Sequence, residues 1–140
     1  MYKKILVAVD GSDLSFKALE HAEALAKATE GELLLLTVND NTAHSTQHKR
    51  IGLFEEFSDS TGNVQIFNDI LNVMVGSPVK YKLRSENGSP AQLIIKVAEE
   101  AACDTIVMGS RGLGSLTKLF VGSVSSEVIN KAQIPVVIVK

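Results

Sequence analysis

The chain alternates between short, nearly continuous apolar runs and longer segments in which apolar residues recur at helical spacing. The continuous runs of Ile, Leu and Val are typical of strands that are buried on both faces. The helically spaced segments predict amphipathic helices that pack one side on a sheet. Strands are predicted over residues 5–9, 33–38, 79–83, 105–108 and 136–139, and helices over residues 14–29, 63–75, 92–102 and 121–132.

This alternation of strands and helices predicts the α/β class. Buried strands joined by helical crossovers form a parallel sheet, and right-handed crossovers place helices on both faces of a doubly wound sheet. Residues 39–62 are polar and depart from this order, with a short helix predicted around residues 47–57. A chain of 140 residues fits a single domain, residues 1–140, with a core of its own.

The helix boundaries carry recognisable signals. Ser12 or Asp13 is the predicted N-cap of the first helix, and Gly31 follows its end. Ser89 and Pro90 open the third helix as a cap followed by a proline in the first turn. These signals define the start and the end of the first helix and the start of the third.

Glycine and serine are concentrated after the fourth predicted strand. Gly109 and Gly112 follow that strand, and Gly122 and Ser123 stand where the last helix begins. Glycine lets the backbone approach an anion closely, and a helix start exposes unpaired N–H groups. The spacing therefore predicts a phosphate-binding loop.

Two common nucleotide motifs are excluded by the same segment. A Walker P-loop needs a Gly-Lys-Ser/Thr sequence, which is missing here, and the dinucleotide fingerprint has a different glycine spacing and follows the first strand. NAD is therefore not an expected ligand.

The pattern Gly-x2-Gly-x9-Gly-Ser from Gly109 to Ser123 resembles the nucleotide-binding signature of the universal stress protein family. Residues 4–12 and 134–139 are similar to the first and last strands of that family, so the resemblance covers the whole chain. It implies a five-stranded sheet of order 3-2-1-4-5 and places the chain in the ATP-binding branch. The implied function is a regulatory nucleotide-binding module in stress response, with ATP and Mg²⁺ or Mn²⁺ as cofactors. Binding of AMP or a cyclic nucleotide is an alternative.

The resemblance also implies a set of nucleotide-binding residues, which meet where strands one and four end. The set comprises Asp10, Val38, Met108, Gly109, Arg111, Gly112, Gly122, Ser123, Val124 and Ser125.

Several of these residues have more than one reading. Asp10 is expected to accept from the ribose or the base edge, or to hold a metal ion through water, although Asp-Gly-Ser is also a good turn sequence. Val38 is expected to touch adenine, but a plain core position at a strand end explains it equally well. Arg111 is expected either to form an ion pair or to be solvated in an exposed loop. Ser125 is expected either to add a second hydroxyl to the phosphate site or to cap the helix.

The remaining members have simpler expected roles. Met108 should pack near adenine, while Gly109 and Gly112 let the loop wrap around the ribose and phosphates. Gly122, Ser123 and Val124 should offer backbone N–H groups to the phosphates at the positive end of the helix.

The net charge and the composition limit the classes of partner that we expect. The net charge of −2 gives no basic footprint for nucleic acid. The apolar run before Asp10 is too short for a signal peptide or a membrane span, so we expect no membrane association and a cytoplasmic protein. The single cysteine, Cys103, excludes an internal disulfide and reads as a small buried residue. His44 and His48 read as a polar surface pair because no third ligand has a matching position.

Two expectations concern activity and assembly. Phosphoryl transfer needs a metal clamp and a positioned nucleophile, so any ATPase should be slow, and autophosphorylation on Ser123 is the related alternative. Residues 136–139 form an apolar edge strand without a charge before Lys140. Such an edge is a template for pairing, and we expect a homodimer through it.

Overall fold

The structure is a computed structural model, and it describes residues 1–39, 63–112 and 122–140. The helix predicted around residues 47–57 lies outside the described residues, as do His44 and His48. In chain order the elements are β1 (Lys4–Ala8), α1 (Asp13–Thr29), β2 (Glu32–Asn39), α2 (Asn63–Met74), β3 (Lys80–Asn87), α3 (Pro90–Glu100), β4 (Thr105–Gly109), α4 (Ser123–Lys131) and β5 (Val136–Val139).

The strands form one five-stranded parallel sheet in the order β3-β2-β1-β4-β5. This confirms the expected α/β fold and strand order. Leu6 in the central strand pairs with Leu34 on one side and Ile106 on the other. The central strands that contain these residues are continuous apolar runs, because helices cover both of their faces.

Two apolar layers hold the helices to the sheet. On one face, Val7 and Leu35 pack with Leu19 from α1 and Ile70 from α2. On the other face, Leu6 and Leu36 pack with Ile94 from α3 and Val128 from α4. Consequently the helices that follow β1 and β4 cover opposite faces, which opens a crevice at the carboxyl ends of these two neighbouring strands.

The largest boundary difference concerns β3, which runs to Asn87 rather than ending at Leu83. It is an edge strand, and its outer, carboxyl-terminal half is polar and lacks an apolar run: Arg84, Ser85 and Glu86 are half-buried and Asn87 is exposed. Arg84 in that half bonds Glu86 at 2.7 Å and Glu100 of α3 at 3.2 Å. Burial lowers the pKa of Arg84, but the hydrogen bonds to the two carboxylates outweigh it and the net pKa is raised.

α1 begins after the predicted cap and ends at Thr29 as predicted, but its C-cap is not a glycine. Ser12 is the N-cap and its side chain accepts from the backbone N–H of Ser15. The left-handed residue at the end is Glu30, with φ of 54°, and not Gly31. Gly31 is needed for a different reason, because a side chain there would collide with the backbone carbonyl of Tyr2.

At the other end of the sheet, where the strands begin, Asp104 joins the start of β4 to the start of β1. Its carboxylate accepts from the backbone N–H groups of Lys3 at 2.8 Å and Lys4 at 3.3 Å, and from the hydroxyl of Thr105 at 3.0 Å. Burial raises the pKa of Asp104, yet these hydrogen bonds outweigh it and the pKa lies below its usual value. The charged form of Asp104 therefore stabilises the fold.

Cys103, just before β4, is buried, as the sequence indicates. Burial raises the pKa of its thiol to about 11. Among the described residues, no helix is both long and apolar enough to span a membrane.

Candidate functional site

A pocket of about 610 Å³ opens at the carboxyl ends of β1, β2 and β4. All ten residues predicted for the site line it: Asp10, Val38, Met108, Gly109, Arg111, Gly112, Gly122, Ser123, Val124 and Ser125. Its volume lies within the range of small-molecule pockets. The structure thus brings together residues that are separated by about a hundred positions in the chain.

One wall of the pocket is apolar. Leu36, Ile94 and Met108 are buried members of the core between the sheet and helices α3 and α4, and Val38 packs against them. Pro90, at the first position of α3, completes the wall. A flat apolar ring system fits such a surface without leaving buried polar groups unpaired.

The opposite side carries Asp10 at the end of β1. The backbone N–H of Val9 still donates to the carbonyl of Leu36 at 2.9 Å, so Asp10 is the first residue beyond the paired backbone. Its Oδ1 accepts from Ser12 twice, from the backbone N–H at 2.9 Å and from the hydroxyl at 2.5 Å. The turn and the pocket therefore use the same aspartate, and the two readings of Asp10 are compatible.

The first two glycines of the motif are packed against neighbouring residues. A Cβ at Gly109 would lie 3.1 Å from the Cβ of Leu14, so this glycine lets β4 approach the start of α1. A Cβ at Gly112 would lie 2.5 Å from Oδ2 of Asp10. Both contacts give these positions a structural need for glycine, in addition to the expected contact with a ligand.

The carbonyl of Ser110 joins the glycine loop to α4. It accepts from the backbone N–H of Gly122 at 2.6 Å and from the hydroxyl of Ser125 at 2.8 Å. The N–H of Ser110 itself donates to the carbonyl of Val139, the last residue of β5. The N–H of Gly122 is thus used within the protein, and the Ser125 hydroxyl acts first as a structural donor.

The first turn of α4 leaves other groups facing the pocket. The N–H groups of Ser123 and Val124 belong to this turn, in which a helix provides no internal acceptors. The side chain of Ser123 is exposed, and its hydroxyl makes no hydrogen bond within the described part of the chain. The positive end of the helix favours an anion at this position.

The only charged side chains among the described lining residues are Asp10 and Arg111. Arg111 is half-buried beside the glycine loop. No group of three His, Cys, Asp or Glu that could hold a metal ion occurs in the described ranges.

Six lining residues were missed by the sequence analysis: Ala8, Val9, Ser15, Leu36, Pro90 and Ile94. Two of them had a usable signal. Leu36 shares the face of Val38 because side chains alternate along a strand. Ser15 lies one helical turn after Ser12 at the same end of β1.

The fold and the pocket define a doubly wound α/β protein with a ligand-sized crevice at its topological switch point. The sequence model of the universal stress protein family matches residues 1–140. The chain is 34% identical to the universal stress protein YxiE of Bacillus subtilis, and the alignment covers 100% of both chains. The chain therefore belongs to the universal stress protein family.

Solved structures agree with this assignment. The structure of the hypothetical protein MJ0577 is 29% identical, with a TM-score of 0.75 and coverage of 100% of this chain and 96% of that one. A universal stress protein of Archaeoglobus fulgidus, solved in complex with dAMP, has 22% identity, a TM-score of 0.71 and coverage of 99% and 98%. A universal stress protein solved in complex with cAMP has 22% identity, a TM-score of 0.73 and coverage of 99% and 96%. At 22% identity the last two show the shared fold.

Proposed function

We propose that this protein binds an adenine nucleotide in the pocket at the ends of β1 and β4, and that ATP with Mg²⁺ or Mn²⁺ is its ligand. The observation that carries the proposal is that an apolar wall and the first turn of a helix line the same pocket of about 610 Å³. A purine base fits the wall, and phosphates fit the helix start.

The proposed orientation follows from the two ends of the pocket. The base lies against Val38 and Met108, and the phosphates lie near the N–H groups of Ser123 and Val124. Asp10 cannot face a phosphate favourably because both are negative, so it accepts from a ribose hydroxyl, an amino group of the base or a metal-bound water.

The length of the phosphate chain is the finer part of the proposal. Two relatives of the same fold were solved with dAMP and with cAMP, which makes a monophosphate or a cyclic nucleotide the first competitor to ATP. Arg111 is the one cationic side chain among the described lining residues. A triphosphate therefore needs a divalent cation to offset its charge, whereas a monophosphate does not.

This difference gives the experiment. Calorimetry of ATP, AMP and cAMP is compared in Mg²⁺ and in EDTA. We expect ATP to bind with the highest affinity in Mg²⁺ and to lose much more affinity in EDTA than AMP does. A higher affinity for AMP or cAMP in both buffers would assign the pocket to that nucleotide, and failure of all three to bind would refute an adenine-nucleotide site.

A second candidate function is slow phosphoryl transfer from the bound nucleotide. The exposed Ser123 hydroxyl at the pocket rim favours it, because no described residue uses that hydroxyl. Single-turnover measurement on nucleotide-loaded protein tests hydrolysis, and mass spectrometry tests phosphorylation of Ser123. Unchanged nucleotide and unmodified serine over hours would leave binding as the function.

The proposed setting is a regulatory role in a cytoplasmic stress response, with a homodimer as the working unit. The four residues of β5 are each only partly covered in the single chain. A second copy paired along this edge would satisfy its free backbone groups and cover these side chains.

A further inference from the structure

The Asp10 carboxylate is held on one side by Ser12. Two donors of Ser12, its N–H and its hydroxyl, bond Oδ1 of Asp10. The same hydroxyl oxygen accepts from the N–H of Ser15 at 3.2 Å, in the first turn of α1. A hydroxyl has one proton to donate, so the Ser12 hydroxyl gives it to Asp10 and has none left for a ligand.

On the other side of the carboxylate, the missing side chain of Gly112 leaves the space that Oδ2 of Asp10 occupies. A Cβ at position 112 would lie 2.5 Å from Oδ2 of Asp10 and 3.7 Å from its Cγ. Gly112 does not have a left-handed backbone conformation, so the need for glycine here is steric. Any larger residue would push against Oδ2 and turn the carboxylate away.

Building on the proposed function, we infer that Ser12 and Gly112 are positioning residues that fix the Asp10 carboxylate before the nucleotide binds. Ser12 belongs to the start of α1 and Gly112 to the loop after β4, so two distant parts of the chain act on one side chain. A carboxylate fixed in advance loses less conformational freedom on binding and meets the ligand's donor in one geometry. Ser12 does not need to touch the ligand for this role.

A double-mutant cycle on affinity tests the role of Ser12. Calorimetry of ATP in Mg²⁺ is carried out on wild type, Ser12→Ala, Asp10→Ala and the double variant. We expect Ser12→Ala to weaken binding roughly tenfold in the wild-type background and less than about twofold when Asp10 is absent. Ser12→Thr, which keeps the hydroxyl and the helix cap, should restore binding. An equal loss in both backgrounds would show that Ser12 acts independently of Asp10.

A second cycle needs no nucleotide. Gly112→Ala should lower the urea midpoint of the free protein, because its Cβ presses on Asp10. In the Asp10→Ala background the same substitution should cost little, since the crowded oxygen is gone. Equal shifts in the two backgrounds would refute the contact. Asp10→Ser is the background to use where Asp10→Ala does not fold.

Asp13→Asn is the matched control, because Asp13 is an exposed carboxylate in the first turn of the same helix. It should leave both couplings unchanged. The affinity cycle and the unfolding cycle also distinguish a failure of the proposed function from a failure of this inference. A wild type that binds none of ATP, AMP and cAMP sinks the proposed function, while the Gly112 cycle still decides whether Asp10 is held.

Discussion

Ser125→Ala removes one hydrogen bond from the junction between the glycine loop and α4. Ser125 is 2% exposed. Its hydroxyl lies 3.1 Å from the carbonyl of Gly122, which also accepts from the N–H of Ser126, and it donates over the shorter distance of 2.8 Å to the carbonyl of Ser110. That carbonyl also accepts from the N–H of Gly122, so it is not left unpaired by the substitution. The loss should equal the net value of one buried hydrogen bond, about 1 kcal/mol, without the added cost of an orphaned acceptor.

Ser126→Ala is the matched control, because Ser126 is the next residue of α4 and its side chain makes no hydrogen bond within the described residues. Both substitutions replace serine by alanine within α4 and gain the same small helix propensity. The difference between their free energies of unfolding therefore measures the contribution of the Ser125 hydrogen bond. Urea unfolding should show Ser125→Ala about 1 kcal/mol less stable than Ser126→Ala. Equal stabilities would mean that the Ser110 contact contributes nothing and that the serine serves the pocket in another way.

Three further substitutions test other parts of the account. Glu30→Gly should raise the free energy of unfolding by about 1 kcal/mol, because Glu30 is left-handed, whereas Glu20→Gly inside the same helix should lower it similarly; a loss at both positions would contradict the cap. Asp104→Asn should be less stable than wild type at pH 7. The difference in free energy of unfolding between the two proteins should shrink as the pH falls below the ordinary aspartate pKa and through the lowered pKa of Asp104. A difference that is independent of pH would refute the charge-dependent role of Asp104. Pro135 and Val139 turn their carbonyls to β4, so the N–H of Ile138 between them faces the free edge of β5. Ile138→Pro removes that outward donor and should shift the protein towards monomer in light scattering, while a folded, dimeric variant would exclude this edge.

The order of elements could be predicted because it depends on local periodicity. The three central strands, β1, β2 and β4, stand out as runs of Ile, Leu and Val, since both faces of a buried strand must be apolar. The edge strand β5 is also an apolar run, although its residues are only partly covered. The outer half of β3 could not be predicted in this way. There the polar residues Arg84, Ser85 and Glu86 are half-buried and Asn87 is exposed, as an edge strand partly open to water permits.

The members of the site could be predicted better than the reason for each. Asp10 and Gly112 are about a hundred residues apart, and no local rule states that the Asp10 carboxylate occupies the space a side chain at position 112 would need. Likewise the spacing marks Gly122 as a place for a phosphate, but only the folded chain shows its N–H bonded to Ser110. Contacts that depend on the meeting of β1, β4 and α4 become visible only once the sheet is assembled.

The most direct test of nucleotide binding is ATP calorimetry on wild type and on Gly122→Val. A Cβ at position 122 would meet Ser110 and Arg111 at 3.4 and 3.5 Å, which is ordinary contact, so the backbone there has room for a Cβ. Gly122 lines the pocket as the N-cap of α4, next to the first turn where the phosphates are proposed to lie. We expect wild type to bind ATP and the variant to lose at least about tenfold in affinity, or about 1.4 kcal/mol. An affinity within about twofold of wild type would contradict the proposed site.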